Sequence, residues 1–195
     1  MKTKFGIFAV ILLMTIVGCK KETKVDNPWM AKITTNKYDN ISSIFKEINP
    51  VSLNTAIETK NESYIRSSVN DVANNIASYF FDKYKIDLRN DFVDNPEGIV
   101  TLGLFYAAKE KNAALANTQS LGTSPLHVEE DFWCFLEVVG AVIGIGDAKN
   151  IWRSIMAGAA DDTIIAAIRL VGRRVAGIFT VGIMIAGAGH CLGFW

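Results

Sequence analysis

Apolar residues recur at helical spacing through the first half of the chain. Between Glu62 and Ile86 they follow steps of four and three residues, which places their side chains on one side of an α-helix. Shorter segments with the same spacing precede it, one from Tyr38 to Ile48 and one that opens at Pro50. No segment alternates apolar and polar residues over a strand-like length, so the pattern predicts an all-α fold.

A further helix is predicted to begin within Asp94–Glu97. A capping residue, a proline at the first helical position and an acid in the first turn follow one another there. Its apolar positions continue toward Lys111 and complete an amphipathic helical region over 38–112. The next segment, 113–125, is rich in alanine, asparagine, serine and threonine and is predicted to be a linker.

The composition changes in the last third of the chain, 126–195. Between Lys20 and Asp131, 29 of 112 residues are charged, whereas only 9 of the 64 residues from Phe132 to Trp195 are. Ten of the 15 glycines also lie in this last third. Such a glycine-rich segment with few charges predicts helices that are buried or in lipid and that approach their neighbours closely.

Glycines followed by acids divide this last third into three predicted helices, over 126–145, 147–157 and 162–188. Projection of the third at 100° per residue places its few polar residues on one narrow line. Those residues are Asp162, Arg169, Arg173 and Thr180.

Two arrangements of 126–195 are compatible with this pattern. In the first, it is a glycine-packed helical hairpin that forms the core together with 38–112 as one domain. In the second, it interacts with a membrane, since the 21 residues of 175–195 are long enough to span one. The arginines that flank this run oppose insertion from outside the cytoplasm. We therefore predict an all-α helical bundle with a glycine-rich apolar C-terminal helical hairpin.

The N-terminus carries an export pattern. Lys2 and Lys4 precede an apolar run, Phe5–Met14, and the sequence Ile16-Val17-Gly18-Cys19 follows. This last segment resembles the lipobox of bacterial lipoproteins. The resemblance implies a signal peptide over 1–18, cleavage by signal peptidase II, a lipid on Cys19 and a lipidated tether over 19–37. Because Lys20 rather than an aspartate follows the cysteine, the resemblance implies the outer membrane of a Gram-negative bacterium.

Two further cysteines, Cys134 and Cys191, lie in the predicted mature chain. In an exported protein such a pair predicts a possible disulfide, here across 57 positions. The neighbourhoods of both residues are apolar, so two buried free thiols are the alternative.

Few residues of the sequence are candidates for catalysis or metal binding. His127, Asp131 and Cys134 share one helix face and could bind a metal or activate a thiol. The acids there are equally typical of a first helical turn, and we predict no catalytic residue, metal site or cofactor. Removal of 1–18 leaves 18 basic and 20 acidic residues, a formal charge of −2 that argues against a nucleic-acid partner.

Two structural roles are expected for other conspicuous residues. Arg169 and Arg173 are expected to form partly buried ion pairs with Glu137 or Asp147. Three tryptophans of the last third are expected to pack in the core or to line an apolar surface. They are Trp133, Trp152 and Trp195.

The sequence thus predicts a membrane-anchored lipoprotein with a non-enzymatic role in an envelope or surface interaction. Its expected partners are membrane lipid, through acylated Cys19, and a protein of the envelope. The alternative follows from a resemblance in composition between 126–195 and the glycine-rich helical hairpins of some bacteriocins, which implies membrane perturbation. A hydrolase built on Cys134 and His127 is the least supported hypothesis.

Overall fold

A computed structural model describes residues 36–93, 95–119, 126–172 and 177–195, without the side chains of 116–119 and 126–130. The described residues form helices and no strand, so the predicted all-α bundle is confirmed. The helices are α1 (Ser42–Lys46), α2 (Pro50–Glu58), α3 (Glu62–Tyr84), α4 (Leu88–Asp91), α5 (Pro96–Gln119), α6 (Leu126–Ile143), α7 (Ile145–Met156), α8 (Asp161–Gly172) and α9 (Ile178–Leu192). The predicted signal peptide, Cys19 and nearly all of the tether lie outside these residues.

Local chemistry explains where α2 and α3 begin. The Asn49 side chain accepts a hydrogen bond from the backbone N–H of Ser52 at 3.0 Å, and Pro50 occupies the first helical position. The Asn61 side chain likewise accepts from the N–H of Tyr64 at 3.1 Å. Each asparagine satisfies a backbone donor that lacks a partner within its helix.

Helix α9 occupies the centre of the bundle. It packs against α6, α3, α2 and α5, and most of its side chains are buried. The buried residues are Ile178, Val181, Gly182, Met184, Ile185, Ala188, Gly189, Cys191 and Leu192. Much of the apolar character of the last third is therefore used in packing within the domain. Within the described part of the chain, no helix has both the length and the apolar character needed to cross a membrane.

The predicted helix 162–188 is wrong in one respect, because it is divided into α8 and α9. Helix α8 ends at Gly172, and α9 begins after Gly177, whose φ of 88° is incompatible with a continuous right-handed helix. Asp162 and Arg169 consequently lie on a different helix from Thr180, and Arg173 falls outside the described residues. The single polar line that the projection placed across 162–188 does not exist.

Helix α5 extends to Gln119, eight residues beyond its expected end near Lys111. Residues 113–119, which the composition assigned to a linker, are therefore helical. Only 120–125 of the predicted linker lie between α5 and α6, and these residues fall outside the described ranges.

One close helix crossing requires glycine. A Cβ atom at Gly172 would lie 3.2 Å from the Cα of Gly98 and 2.9 Å from the Nδ2 of Asn95. Because the first of these atoms belongs to the backbone of α5, no side-chain rotation would relieve the contact. The missing side chains allow α8 and α5 to approach one another at this point.

Candidate functional site

The structure joins Cys134 and Cys191 in a disulfide. Cys134 is half-buried on α6, Cys191 is buried near the end of α9, and their Cα atoms are 5.6 Å apart. The bond links two helices that also pack closely against one another. Both thiols are consumed by this bond, so neither is available as a nucleophile or as a metal ligand.

A lysine ties α5 to the same end of the bundle. The Lys111 ammonium lies 2.8 Å from the Asp131 carboxylate on α6 and donates to the backbone carbonyl of Cys191 at 3.2 Å. A cation at the C-terminal end of a helix is favoured by the exposed carbonyls there. One side chain therefore connects α5 with both helices that the disulfide joins.

The C-terminal aromatic residues fold back onto this end. The Phe194 ring stacks on Phe45 of α1 with the ring centroids 5.4 Å apart. The Trp195 indole covers Gly189, where any side chain would collide with it. These contacts hold the last residues of the chain against α1 and α9.

An open groove of about 500 Å³ lies between α1, α5 and the C-terminal residues. Its walls combine apolar side chains with two uncharged polar residues, two lysines and one acid. The lining residues are Asn40, Ser42, Lys46, Glu110, Lys111, Ala113, Ala114, Leu192, Gly193 and Phe194. Lys111 and Glu110 are already engaged with protein partners, so the groove has mixed polarity rather than a concentrated charge.

Glu110 fixes the start of α1 to α5. Its carboxylate accepts from the backbone N–H of Ile41 at 3.0 Å, from the N–H of Ser42 at 3.4 Å and from the Tyr79 hydroxyl at 3.0 Å. The Lys83 ammonium lies 4.0 Å from the same carboxylate. Glu110 therefore caps the N-terminus of α1, although it lies far from α1 in the sequence.

The chain enters the bundle at a second polar anchor. The Tyr38 hydroxyl donates to the Glu47 carboxylate at 2.5 Å, and the Lys37 ammonium lies 2.9 Å from that carboxylate. These two hydrogen bonds hold the pKa of the Glu47 carboxyl below its usual value, and the bond from Tyr38 has the larger effect. The Asn75 side chain also donates to the Tyr38 hydroxyl at 3.1 Å. The position where a tether would join the domain is thus fixed next to α1 and α3.

Tyr106 lies in an aromatic cluster with Phe80 and Tyr84, and its hydroxyl donates to the Asp161 carboxylate. Burial, followed by the hydrogen bond to Asp161, raises the pKa of Tyr106 well above its ordinary value of 10. Burial and the Glu110 carboxylate raise the pKa of Tyr79 in the same way. Both phenols therefore stay protonated in the folded protein when unfolded tyrosine ionises.

This difference predicts a loss of stability at alkaline pH. A pKa that is raised on folding gives stability that is complete below pH 10 and is lost as the pH rises further. For Tyr106→Phe, we expect the decrease in the free energy of unfolding between pH 9 and pH 11 to be about 1 kcal/mol smaller than in the parent. Urea unfolding of the parent and of Tyr106→Phe at both pH values measures this difference in the free energy of unfolding. The control is Tyr64→Phe, which alters an exposed phenol on the same helix as Tyr79. An equal decrease in the free energy of unfolding in Tyr106→Phe and in the parent would contradict the prediction.

Two residues of the predicted reactive group, Asp131 and Cys134, have other partners in the structure. Cys134 is in the disulfide and Asp131 binds Lys111, while the side chain of His127 lies outside the described residues. His190 is exposed, although its neighbour Cys191 is buried. Among the described side chains, no group of three or more histidines, cysteines and acids is arranged to hold a metal ion.

The predicted partner of Arg169 is also wrong, while Arg173 falls outside the described residues. Arg169 lies 3.3 Å from Asp91, at the end of α4, instead of pairing with Glu137 or Asp147. This ion pair borders an open pocket of about 470 Å³ beside α8. Because both side chains are substantially exposed, the pair adds little stability.

The three tryptophans occupy different environments. Trp152 is buried and packs on Phe132 with the ring centroids 4.5 Å apart. Trp133 is exposed, and the Lys149 ammonium lies 5.0 Å from the centroid of its ring. Trp195 is half-buried against Gly189. Trp152 therefore belongs to the core, Trp195 packs against it, and Trp133 lies on the surface.

Several residues that organise this end of the bundle were missed from the sequence. Glu110 and Lys111 follow the apolar run of α5 and look like ordinary solvated charges. Tyr79 looks like a core aromatic at helical spacing. The sequence offered one signal for Glu110 and Lys111, which is that two opposite charges stand where the apolar face of the helix ends.

The disulfide, the Lys111 contacts, the groove and the folded-back C-terminus therefore meet at one end of the bundle, close to the start of α1. Comparison of the chain with protein families, with curated proteins and with solved structures finds no match.

Proposed function

We propose that this protein is a lipid-anchored helical domain of the bacterial cell envelope that serves an interaction rather than a reaction. The observation that carries the proposal is the use of its cysteines. The chain has three, and the Cys134–Cys191 disulfide uses two of them. The third is Cys19, at the end of the lipobox-like segment, and it is therefore the thiol left for acylation.

The disulfide also supports an exported location. Stable disulfides form in oxidising compartments such as the periplasm and the cell surface and are rare in the cytosol. Lys20 follows the predicted lipidated cysteine in place of an aspartate, and this favours release to the outer membrane. Residues 19–35 would then connect the lipid to the folded domain, which begins close to Tyr38.

Metabolic labelling with a palmitate analogue, followed by membrane fractionation, tests this proposal. In a Gram-negative host we expect the parent chain to be labelled and to fractionate with the outer membrane. Cys19→Ala should be unlabelled and should keep its leader. The control is Cys134→Ala/Cys191→Ala, which removes the other two cysteines and should still be labelled. Identical labelling and fractionation of the parent and Cys19→Ala would overturn the proposal.

Membrane perturbation through 126–195 is the less supported alternative. It would require α9 to leave the centre of the bundle, where α6, α3, α2 and α5 pack against it. The Cys134–Cys191 disulfide opposes that movement, because it fixes the end of α9 to α6. Leakage of a trapped dye from liposomes by the oxidised protein at micromolar concentration would favour this alternative over the interaction role.

A further inference from the structure

The two cysteines of the disulfide differ in their access to solvent. Cys191 is 5% exposed near the end of α9, whereas Cys134 is half-buried on α6. Trp133, the neighbour of Cys134 along α6, is 43% exposed, so the domain surface lies next to Cys134. Access helps to decide which sulfur of a disulfide an external thiol attacks. A thiol from solution therefore reaches this bond from the Cys134 side.

A cation lies beside the bond. The Lys111 ammonium donates to the backbone carbonyl of Cys191 at 3.2 Å and lies 2.8 Å from the Asp131 carboxylate, three residues before Cys134. Disulfide exchange begins with one anionic thiolate and releases another, and a neighbouring ammonium stabilises both. Lys111 also engages the Asp131 carboxylate and a carbonyl at the end of α9, both of which would otherwise oppose negative charge at this place.

Helix packing holds the two cysteines opposite one another. Val138 follows Cys134 by one turn of α6, and Gly187 precedes Cys191 by one turn of α9. A Cβ atom at Gly187 would lie 2.8 Å from the Val138 side chain, so the two helices approach closely there. The contacts of Lys111 link the same two helices near the cysteines. The two sulfurs therefore stay within reach of each other after the bond between them is broken.

We propose that Cys134–Cys191 is an exchangeable disulfide, in which Cys134 takes up a low-molecular-weight thiol and Cys191 is the buried partner that expels it again. Cys134 is then the site of the thiol adduct, and Cys191 is the resolving cysteine. This inference goes beyond the proposed interaction role. It depends on the folded domain and not on the lipid anchor.

The exchange proceeds in two steps. A thiolate attacks the Cys134 sulfur, a new S–S bond forms to it, and the Cys191 sulfur leaves as a thiolate that takes up a proton. A second thiolate then attacks the external sulfur of the adduct and releases Cys134. Two external thiols have then become one disulfide, and the protein has gained two electrons and two protons. In the competing return step, Cys191 attacks the Cys134 sulfur and expels the external thiol.

The return step makes the adduct short-lived. The Cα atoms of the two cysteines are 5.6 Å apart, and a thiol held this close acts at a high effective concentration. An adduct on Cys134 should therefore persist only where Cys191 is replaced. In the parent, the concentration of external thiol sets the balance between the disulfide and the dithiol form.

Reaction with glutathione of a chain that begins at Lys20 tests the proposal. This chain keeps every described residue and lacks Cys19, so Cys134 and Cys191 are its only cysteines. After incubation with millimolar glutathione in native buffer and an acid quench, peptide mass spectrometry locates the adduct. We expect glutathione on Cys134 at least about tenfold more often than on Cys191. An equal division, or an excess on Cys191, would overturn the proposal.

Two single-cysteine variants of this chain measure access directly, and each is the matched control of the other. Cys191→Ser keeps only Cys134, and Cys134→Ser keeps only Cys191. We expect oxidised glutathione to modify Cys191→Ser at least about tenfold faster than Cys134→Ser in native buffer, and both at the same rate in concentrated urea. Circular dichroism establishes that both variants are folded. Equal rates in native buffer would contradict the different roles of the two cysteines.

A urea series separates exchange in the folded domain from exchange after unfolding. Below the unfolding transition, we expect the rate at which glutathione reduces the parent to change little with urea concentration. A rate that rises in proportion to the unfolded fraction would overturn the proposal, because the bond would then open only in unfolded chains. Since this chain lacks Cys19, neither result bears on the proposed lipid anchor, which the labelling experiment tests separately.

Discussion

Replacement of both Cys134 and Cys191 by alanine is expected to lower the free energy of unfolding by about 2–4 kcal/mol. The disulfide closes a segment with a sequence separation of 57, and it restricts the unfolded chain more than the folded one. The chain-entropy relation gives about 4 kcal/mol for a loop of this length, and the lower part of the range allows for residual structure in the unfolded state.

Urea unfolding of a chain that begins at Lys20 measures this effect. The parent treated with dithiothreitol should lose a similar amount of stability, while the same treatment should leave Cys134→Ala/Cys191→Ala unchanged. The alanines also remove two sulfur atoms, one buried and one half-buried, so the reduced parent separates the loss of the covalent bond from the loss of packing. If the oxidised parent, the reduced parent and the double variant unfold at one urea concentration, the two thiols are not joined in the folded protein.

The disulfide is also an instance of what the sequence could and could not predict. A pair of cysteines in a chain with a predicted export signal allowed the bond, but both neighbourhoods were apolar and equally suited buried thiols. What decides between the two is the packing of α6 against α9, which brings the two Cα atoms within 5.6 Å. That approach depends on contacts between residues far apart in sequence.

Helix positions were predictable where the signal was local. Helix α3 begins at Glu62, as its apolar spacing predicted, and ends at Tyr84, two residues before the expected Ile86. Pro50 and Pro96 begin α2 and α5 as expected, because proline is suited to the first turn of a helix. These features depend on residues within one or two turns of each other.

Two errors arose where local signals were ambiguous. Residues 113–119 resembled a linker in composition, but they include three of the alanines that favour helix most strongly, and α5 continues through them. In the last third, Gly172, Gly177, Gly182 and Gly187 follow at equal spacing. Only one of them has the positive φ that separates α8 from α9, while Gly182 and Gly187 lie within α9 and make close contacts there. Tertiary packing determines which of these four glycines adopts the positive φ and interrupts the helix.

Side-chain partners were the least predictable feature. The sequence indicated that Arg169 needs an acid, but not that Asp91, 78 positions away, would supply it. It gave no sign that Glu110 would cap α1 across a separation of 69 positions. Such contacts follow from the arrangement of the helices and become visible only once that arrangement is known.

Helix α9 offers the sharpest test of that arrangement, because two isoleucines two residues apart lie on opposite sides of it. Ile185 is fully buried among α9's neighbours, whereas Ile183 is 54% exposed. We expect Ile185→Ala to lower the free energy of unfolding by about 2–5 kcal/mol, through lost apolar burial and the cavity left behind. Ile183→Ala should change it by no more than about 0.5 kcal/mol, since its side chain already contacts water.

Urea unfolding of both variants measures this difference. The two substitutions remove the same atoms from the same helix, so helix propensity is matched between them and burial is what differs. Equal losses would mean that α9 does not lie at the centre of the bundle, and its apolar character would again need an explanation outside the domain. A difference of several kcal/mol would instead measure part of the cost of extracting α9, which any membrane-perturbing activity of 126–195 would have to overcome.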